Sequence, residues 1–396
     1  MTNESMVSID GLIERVRRAV TSEQNCVKGK TQPIVTFGIE EPIAWRRIFN
    51  YDVNHYFNDP LFYFEQTLHQ KLWRWDNFPE DDMPITLDIP AWLGHYPEYT
   101  FVGLDVLFDS YGVPIIQADH PLSREPDLRL LKPVDFMTSG WMPRILRWYD
   151  DLNKISNGRM NVTFNMTWWR GCLDLAIQLR GYDNFMTDIV ERPFFVHGLL
   201  EFLVEQRCLW WEAYYRHFGL KPEPVGIADD WLNVPFISPQ IFADFVLPRY
   251  LEIEKFHGGI TGIHSCGNQT PVQHYLLEIK RLSCLEVSPW TDLTQTLVNV
   301  SVDKHLAISL HPNDVLCATL DEMEARIRFI VDSCSGRSYS IGTSGLTPVS
   351  DDIGEYINKI RIWLAIARKA IDEVKAKHQK DTLMTKGELD GKKRVH

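Results

Sequence analysis

Short apolar runs alternate with longer amphipathic segments through the second half of the chain. VGIADDW is an apolar run that ends in acids, and SPQIFADFVLPRYLEIEKFH follows it. Ser238 is placed to cap that helix, with Pro239 at the first helical position. GITGIHSCG leads into the helical PVQHYLLEIKRL, CLEVSPW into DLTQTLVNV, and HLAISLHPND into TLDEMEARIRFIVDSC, where Thr319 and Glu322 have the spacing of a capping box. SYSIGTSG precedes the last long amphipathic stretch, DDIGEYINKIRIWLAIARKAIDEVKAK. Strand then helix at this spacing predicts a parallel sheet, with five strands between residues 225 and 342.

Earlier in the chain, residues 85–92 (ITLDIPAW) and 161–166 (NVTFNM) read as strands, and 112–118 (GVPIIQA) as a weaker one. Eight parallel strands are therefore within reach, and their natural closure is an α/β (β/α)8 TIM-type barrel. A doubly wound open sheet is the alternative, disfavoured because no glycine-rich phosphate loop follows any strand. IDGLIERVRRAV near the start has the period of an amphipathic helix, and residues 34–80 are aromatic and helical in character. The reading is an N-terminal helical elaboration over 1–80, a barrel over 81–375 and a polar, frayed C-terminal tail over 376–396.

Composition narrows the class. The chain has 396 residues and a net charge of −12, which argues against a nucleic-acid surface and against an anionic membrane. No run is long and apolar enough to span a bilayer, and the first residues lack the apolar core of a signal peptide. Seven scattered cysteines suggest no disulfide framework, so a cytoplasmic location is expected. Thirteen tryptophans are unusual. MTWWRG hints at an aromatic-lined cavity, whereas LWWEAYYRHF reads equally well as a helix face packed into the core.

Chemistry concentrates at the ends of the predicted strands, where a barrel carries its active site. GITGIHSCGN finishes with His264 and Cys266 two residues apart, hence on one face of a strand. Imidazole and thiolate are both good zinc ligands. The plainer alternative is a hydrogen-bonded core histidine beside a buried apolar thiol. Glu286 lies one helix and one strand later, at similar height, and completes a set of three metal ligands; otherwise it caps a helix or pairs with an arginine. Asp229, Asp230 and His311 also end strands and are expected to line the same cavity as catalytic groups, with one of the two aspartates capping the next helix.

At these residues the chain resembles a known superfamily. HSCGNQTPV and LEVSPWTDL, with ADDWLNVPFISPQIFADFVLPRY before them and GCLDLAIQLRGYDNFMTDIVERPFFVHGLLEFL in mid-chain, are similar to the uroporphyrinogen decarboxylase fold family, in particular its cobalamin-dependent methyltransferase branch. The resemblance spans about residues 80–370 and implies a (β/α)8 barrel. In that branch zinc held by an H-x-C pair and a later cysteine activates a thiol, which takes a methyl group from a corrinoid on a partner protein. Related cobalamin-independent methionine synthases have a glutamate where this chain has Glu286. The resemblance therefore implies zinc on His264, Cys266 and Glu286, a corrinoid protein as partner, and a small methylated substrate; a homodimer is compatible with it. The eighth strand end departs from the pattern: it reads IGTSGLTP, with Thr343 and Ser344 and no cysteine. A site with one thiolate should activate thiols less and act more as a Lewis acid toward oxygen or nitrogen. Cys334 is expected at the far end of the barrel, and Cys317 is the one other thiol near the site.

Three functions follow from this reading. The first is a methyltransferase working between a small methylated compound or thiol and a corrinoid. The second is a metal-independent decarboxylase or lyase of a small acid, with Asp229 or Asp230 as the acid–base group. The arginine-rich N-terminal motif of the decarboxylase has only a faint echo in Arg46 and Arg47. The third is a binding protein without chemistry.

Overall fold

The computed structural model describes residues 9–393 except 31, 110 and 118, with side chains described as far as residue 377. Its first helix, Ile9–Thr21, buries Leu12, Ile13, Val16 and Ala19, the three-and-four spacing that the sequence presents. Ten strands follow in chain order: β1 (Ile34–Val35), β2 (Asp88–Ala91), β3 (Asp105–Phe108), β4 (Pro114–Gln117), β5 (Asn161–Phe164), β6 (Val225–Ala228), β7 (Ile260–His264), β8 (Cys284–Val287), β9 (His305–Leu310) and β10 (Tyr339–Thr343).

Eight of them, all but β3 and β4, are the staves of a (β/α)8 barrel. β1, β10, β9 and β8 form one parallel ladder, and β6–β7 and β2–β5 pair in parallel. Bridges at Ile260–Leu282 and Arg170–Ala228 carry the wall between these groups. All five strands expected after residue 225 are present. Two expectations change. Residues 112–118 supply β4, which pairs antiparallel with β3 in a hairpin and takes no place in the barrel. The first stave is instead Ile34–Val35, at the start of the segment read as aromatic and helical in character. Two residues are too few to show a strand period, and only pairing with β10 reveals it.

Helix punctuation is largely local. Ser238 accepts the Ile241 N–H, and Thr319 and Glu322 form the capping box. Pro248 lies six residues on from Phe242, and the backbone there widens to a π-turn over Phe242–Val246 before the α-helix Leu247–His257. Such a bulge absorbs the hydrogen bond that proline cannot make. The last helix runs Ile353–Lys393, so the segment read as a frayed tail continues the helix as far as Lys393. Its lysine-rich sequence contains no proline to stop it. No helix among the described residues is long and apolar enough to cross a membrane.

The tryptophans divide between core and cavity. Trp210 and Trp211 are buried and stack among Tyr214 and Phe101, so LWWEAYYRHF is a core face. In MTWWRG, Trp168 is fully buried, while Trp169 is partly exposed toward the barrel interior.

Candidate metal-binding site at the barrel mouth

β7 delivers its last residue, His264, to the C-terminal end of the barrel. Ser265 turns inward and is fully buried, and Cys266 returns to the side of His264 with an exposed thiol. Cys266 Sγ lies 3.4 Å from His264 Nε2. The tight turn depends on Gly267: a Cβ there would stand 2.2 Å from Asn233 Oδ1.

Asp230 closes the group. Its Oδ1 accepts from Cys266 Sγ at 3.3 Å and lies 3.7 Å from His264 Nε2. A sulfur, an imidazole nitrogen and a carboxylate oxygen thus lie within 4.8 Å of one another. Glu286 is beside them but on the other ring nitrogen: its Oε2 is 2.7 Å from His264 Nδ1. Burial works against a charge on His264, yet the bonds to Cys266 and Glu286 outweigh it and push its pKa up to about 10.

A buried charge network holds Asp230 from behind. One nitrogen of Arg170, Nη1, donates to Asp230 Oδ2 at 2.6 Å and to Asp174 Oδ2 at 2.9 Å. The guanidinium lies over the Tyr96 ring at 4.5 Å. Glu98 Oε1 accepts the backbone N–H groups of Trp169 and Arg170, and burial pushes its carboxyl up to about 7 against the pull of Arg170. Sequence reasoning missed Arg170, Asp174 and Glu98. The signal was present in R-G-C-L-D, an arginine four residues before an aspartate at the head of an apolar helix.

The other expected residues sit elsewhere. Asp229 is fully buried below the site and accepts from Tyr250 Oη at 2.7 Å. Burial and the neighbouring Asp174 push its carboxyl well above the usual range. Neither aspartate caps the next helix, because Ser238 does. His311 does not converge on His264 either. Its Nδ1 accepts the Asn313 N–H, and its ring meets Trp290 edge-on in a separate cleft that Cys317 also lines. Cys334 is buried at the end of the helix before β10, at the opposite end of the barrel from the site. At the eighth strand end the Thr343 hydroxyl is taken by the Gly38 N–H and the Ser344 hydroxyl lies 3.3 Å from that of Ser309.

Residues 97–346 match the family model described as uroporphyrinogen decarboxylase (URO-D). The chain belongs to the URO-D family. Among solved structures, this URO-D family member is similar to a methyltransferase from Methanosarcina mazei, with a TM-score of 0.61 and 15% identity. The match covers 90% of this chain and 98% of the other, and the barrel is common to both. No curated protein matches the chain. Within the matched span of the URO-D family chain fall all six residues singled out from the sequence: Asp229, Asp230, His264, Cys266, Glu286 and His311.

Proposed function

We propose that this URO-D family protein is a methyltransferase that moves a methyl group between a small methylated compound or thiol and a corrinoid carried by a partner protein. The observation that carries this reading is the convergence of Cys266 Sγ, His264 Nε2 and Asp230 Oδ1 at an exposed position on the barrel mouth. This donor set, one thiolate, one imidazole and one carboxylate, suits zinc and leaves a fourth position open. When bound there, zinc would supply Lewis acidity toward a substrate heteroatom.

The chain's own residues prepare that position. Glu286 fixes the ring of His264 by its Nδ1, so that Nε2 is the atom presented, an orienting role known for carboxylates behind metal-binding histidines. On this reading Glu286 stands behind the ligands and Asp230 is among them. Arg170 fixes Oδ2 of Asp230 and turns Oδ1 toward the thiol. The exposed Cys266 side leaves room for an incoming corrinoid or substrate. The proximity of the likeness to a methyltransferase of the same fold supports the reaction class.

The decarboxylase reading is weaker on this geometry. Arg47 is engaged by the Pro348 carbonyl and Asp351, and Arg46 lies over the Tyr111 ring, so neither offers a free clamp for substrate carboxylates. Asp229 is buried away from the opening.

Metal analysis of the purified protein tests the proposal. About one zinc ion per chain is expected, lost in Cys266→Ser and in His264→Gln. A corrinoid absorbance assay with methyl donors then tests the reaction. A metal-free protein that retains methyl transfer would sink the zinc site, and a metal-free protein inactive with every methyl donor would favour the lyase.

A further inference from the structure

The interior of this barrel is hollow. Barrels of this class ordinarily fill their axis with layers of branched side chains. Here the axis-facing positions carry Gly226 on β6, Gly262 on β7, Ala307 on β9 and Gly342 on β10. The resulting cavity is about 530 Å³, within the range of small-molecule sites. It begins at His264 and Glu286 and continues to Cys284, His305 and Ser340 near the strand starts.

Nothing in the backbone requires these glycines. None of the three has a positive φ, and a Cβ on Gly226, Gly262 or Gly342 would meet its nearest neighbour at 3.7–3.8 Å, ordinary contact. Glycine inside a strand weakens it and commonly marks close approach of a ligand or another backbone. The burial of β9 tells the same story: Leu306, Ile308 and Leu310 are buried under the helices, whereas His305, Ala307 and Ser309, on the axis side, stay partly exposed. Solvent reaches the inside of the barrel more readily than the outside of its strands.

We propose that the lumen is the binding site for the body of the small substrate, and that it selects slender, uncharged, largely apolar molecules ending in a hydroxyl. Its wall is mostly apolar, and among the described residues no lysine or arginine lines it. At its head the ring of His264 is already paired with the carboxylate of Glu286 at 2.7 Å, so it is not free to hold an anion. At its foot, Ser340 Oγ lies 3.1 Å from His305 Nε2, and Ser338 Oγ lies 2.8 Å from Nδ1. Burial holds the pKa of His305 down, so the group there is a neutral imidazole with hydroxyls, a partner for a hydroxyl and not for a carboxylate. The reacting end of such a molecule is left beside His264 and Cys266. That last point rests on the methyltransfer reading; the binding itself does not.

The test uses the full chain and three probes: ω-methoxybutanol, ω-methoxybutanoate and butyl methyl ether, with binding read by calorimetry. The alcohol is expected to bind more tightly than the carboxylate. Gly262→Val and, separately, Ala307→Leu narrow the lumen and should weaken the alcohol by about tenfold or more, while zinc content and thermal unfolding stay near those of the parent. Ser340→Ala should weaken the alcohol and leave the ether unchanged. Undiminished binding in both narrowed variants overturns the lumen site, as does a preference for the carboxylate. Loss of zinc with intact lumen binding would refute the methyltransferase reading alone.

Discussion

Glu286 Oε2 lies 2.7 Å from Nδ1 of His264, on the side of the ring opposite the thiol of Cys266. One imidazole thus has a carboxylate on one nitrogen and a thiol on the other. Glu286→Gln keeps the shape but removes the charge. Zinc affinity, measured by competition with a chelator, should fall about 10- to 100-fold, as for other partners behind a metal ligand. Complete loss, equal to that of Cys266→Ser, would instead make Glu286 a ligand.

Arg170 carries a buried load. Its side chain is almost inaccessible and serves Asp174 and Asp230 together. Arg170→Met should cost about 3–5 kcal/mol in denaturant unfolding, because it leaves Asp174 buried without its cation. Arg170→Met with Asp174→Asn should recover part of that loss. A double variant no more stable than the single one would count against the pairing.

Glu98 makes stability depend on pH. Its folded pKa is raised from 4.5 to about 7 by burial, with Arg170 pulling the other way. A raised folded value means that the protonated form is the one stabilised. The contribution is complete below pH 4.5 and is lost as pH rises through 7. Glu98→Gln keeps an acceptor for the Trp169 and Arg170 N–H groups but cannot ionise. It should gain on the parent between pH 5 and 8, by on the order of 1 kcal/mol or more. Parallel stability curves for the two proteins across that interval would show that Glu98 does not titrate there.

Gly267 allows Asn233 to reach the site. Asn233 Nδ2 donates to the Asp230 carbonyl at 2.7 Å and to Ser265 Oγ at 3.3 Å. Gly267→Ala puts a methyl group 2.2 Å from Asn233 Oδ1 and must displace it. A loss of about 1–3 kcal/mol is expected, together with weaker zinc binding. Normal metal affinity in that variant would separate the turn from the site.

The amino-acid sequence by itself determined the elements whose signal is local. The apolar runs from 225 onward, the Ser238 cap, the Thr319–Glu322 box and the shared face of His264 and Cys266 all follow from neighbours within a few residues. Tertiary structure decided what depends on partners distant in the chain. Ile34–Val35 is a strand only because β10 lies beside it, and residues 114–117 leave the barrel because β3 offers an antiparallel edge. The positions of Asp230 and Glu286 around His264 have the same origin. Both end or lie in strands next to His264, but the rotation of one imidazole sets which carboxylate meets Nε2, and that rotation is fixed by packing across β6, β7 and β8 and by Arg170, 60 residues before Asp230. The hollow axis was likewise spelled in three glycines and an alanine, yet only closure of the barrel brings them around one space.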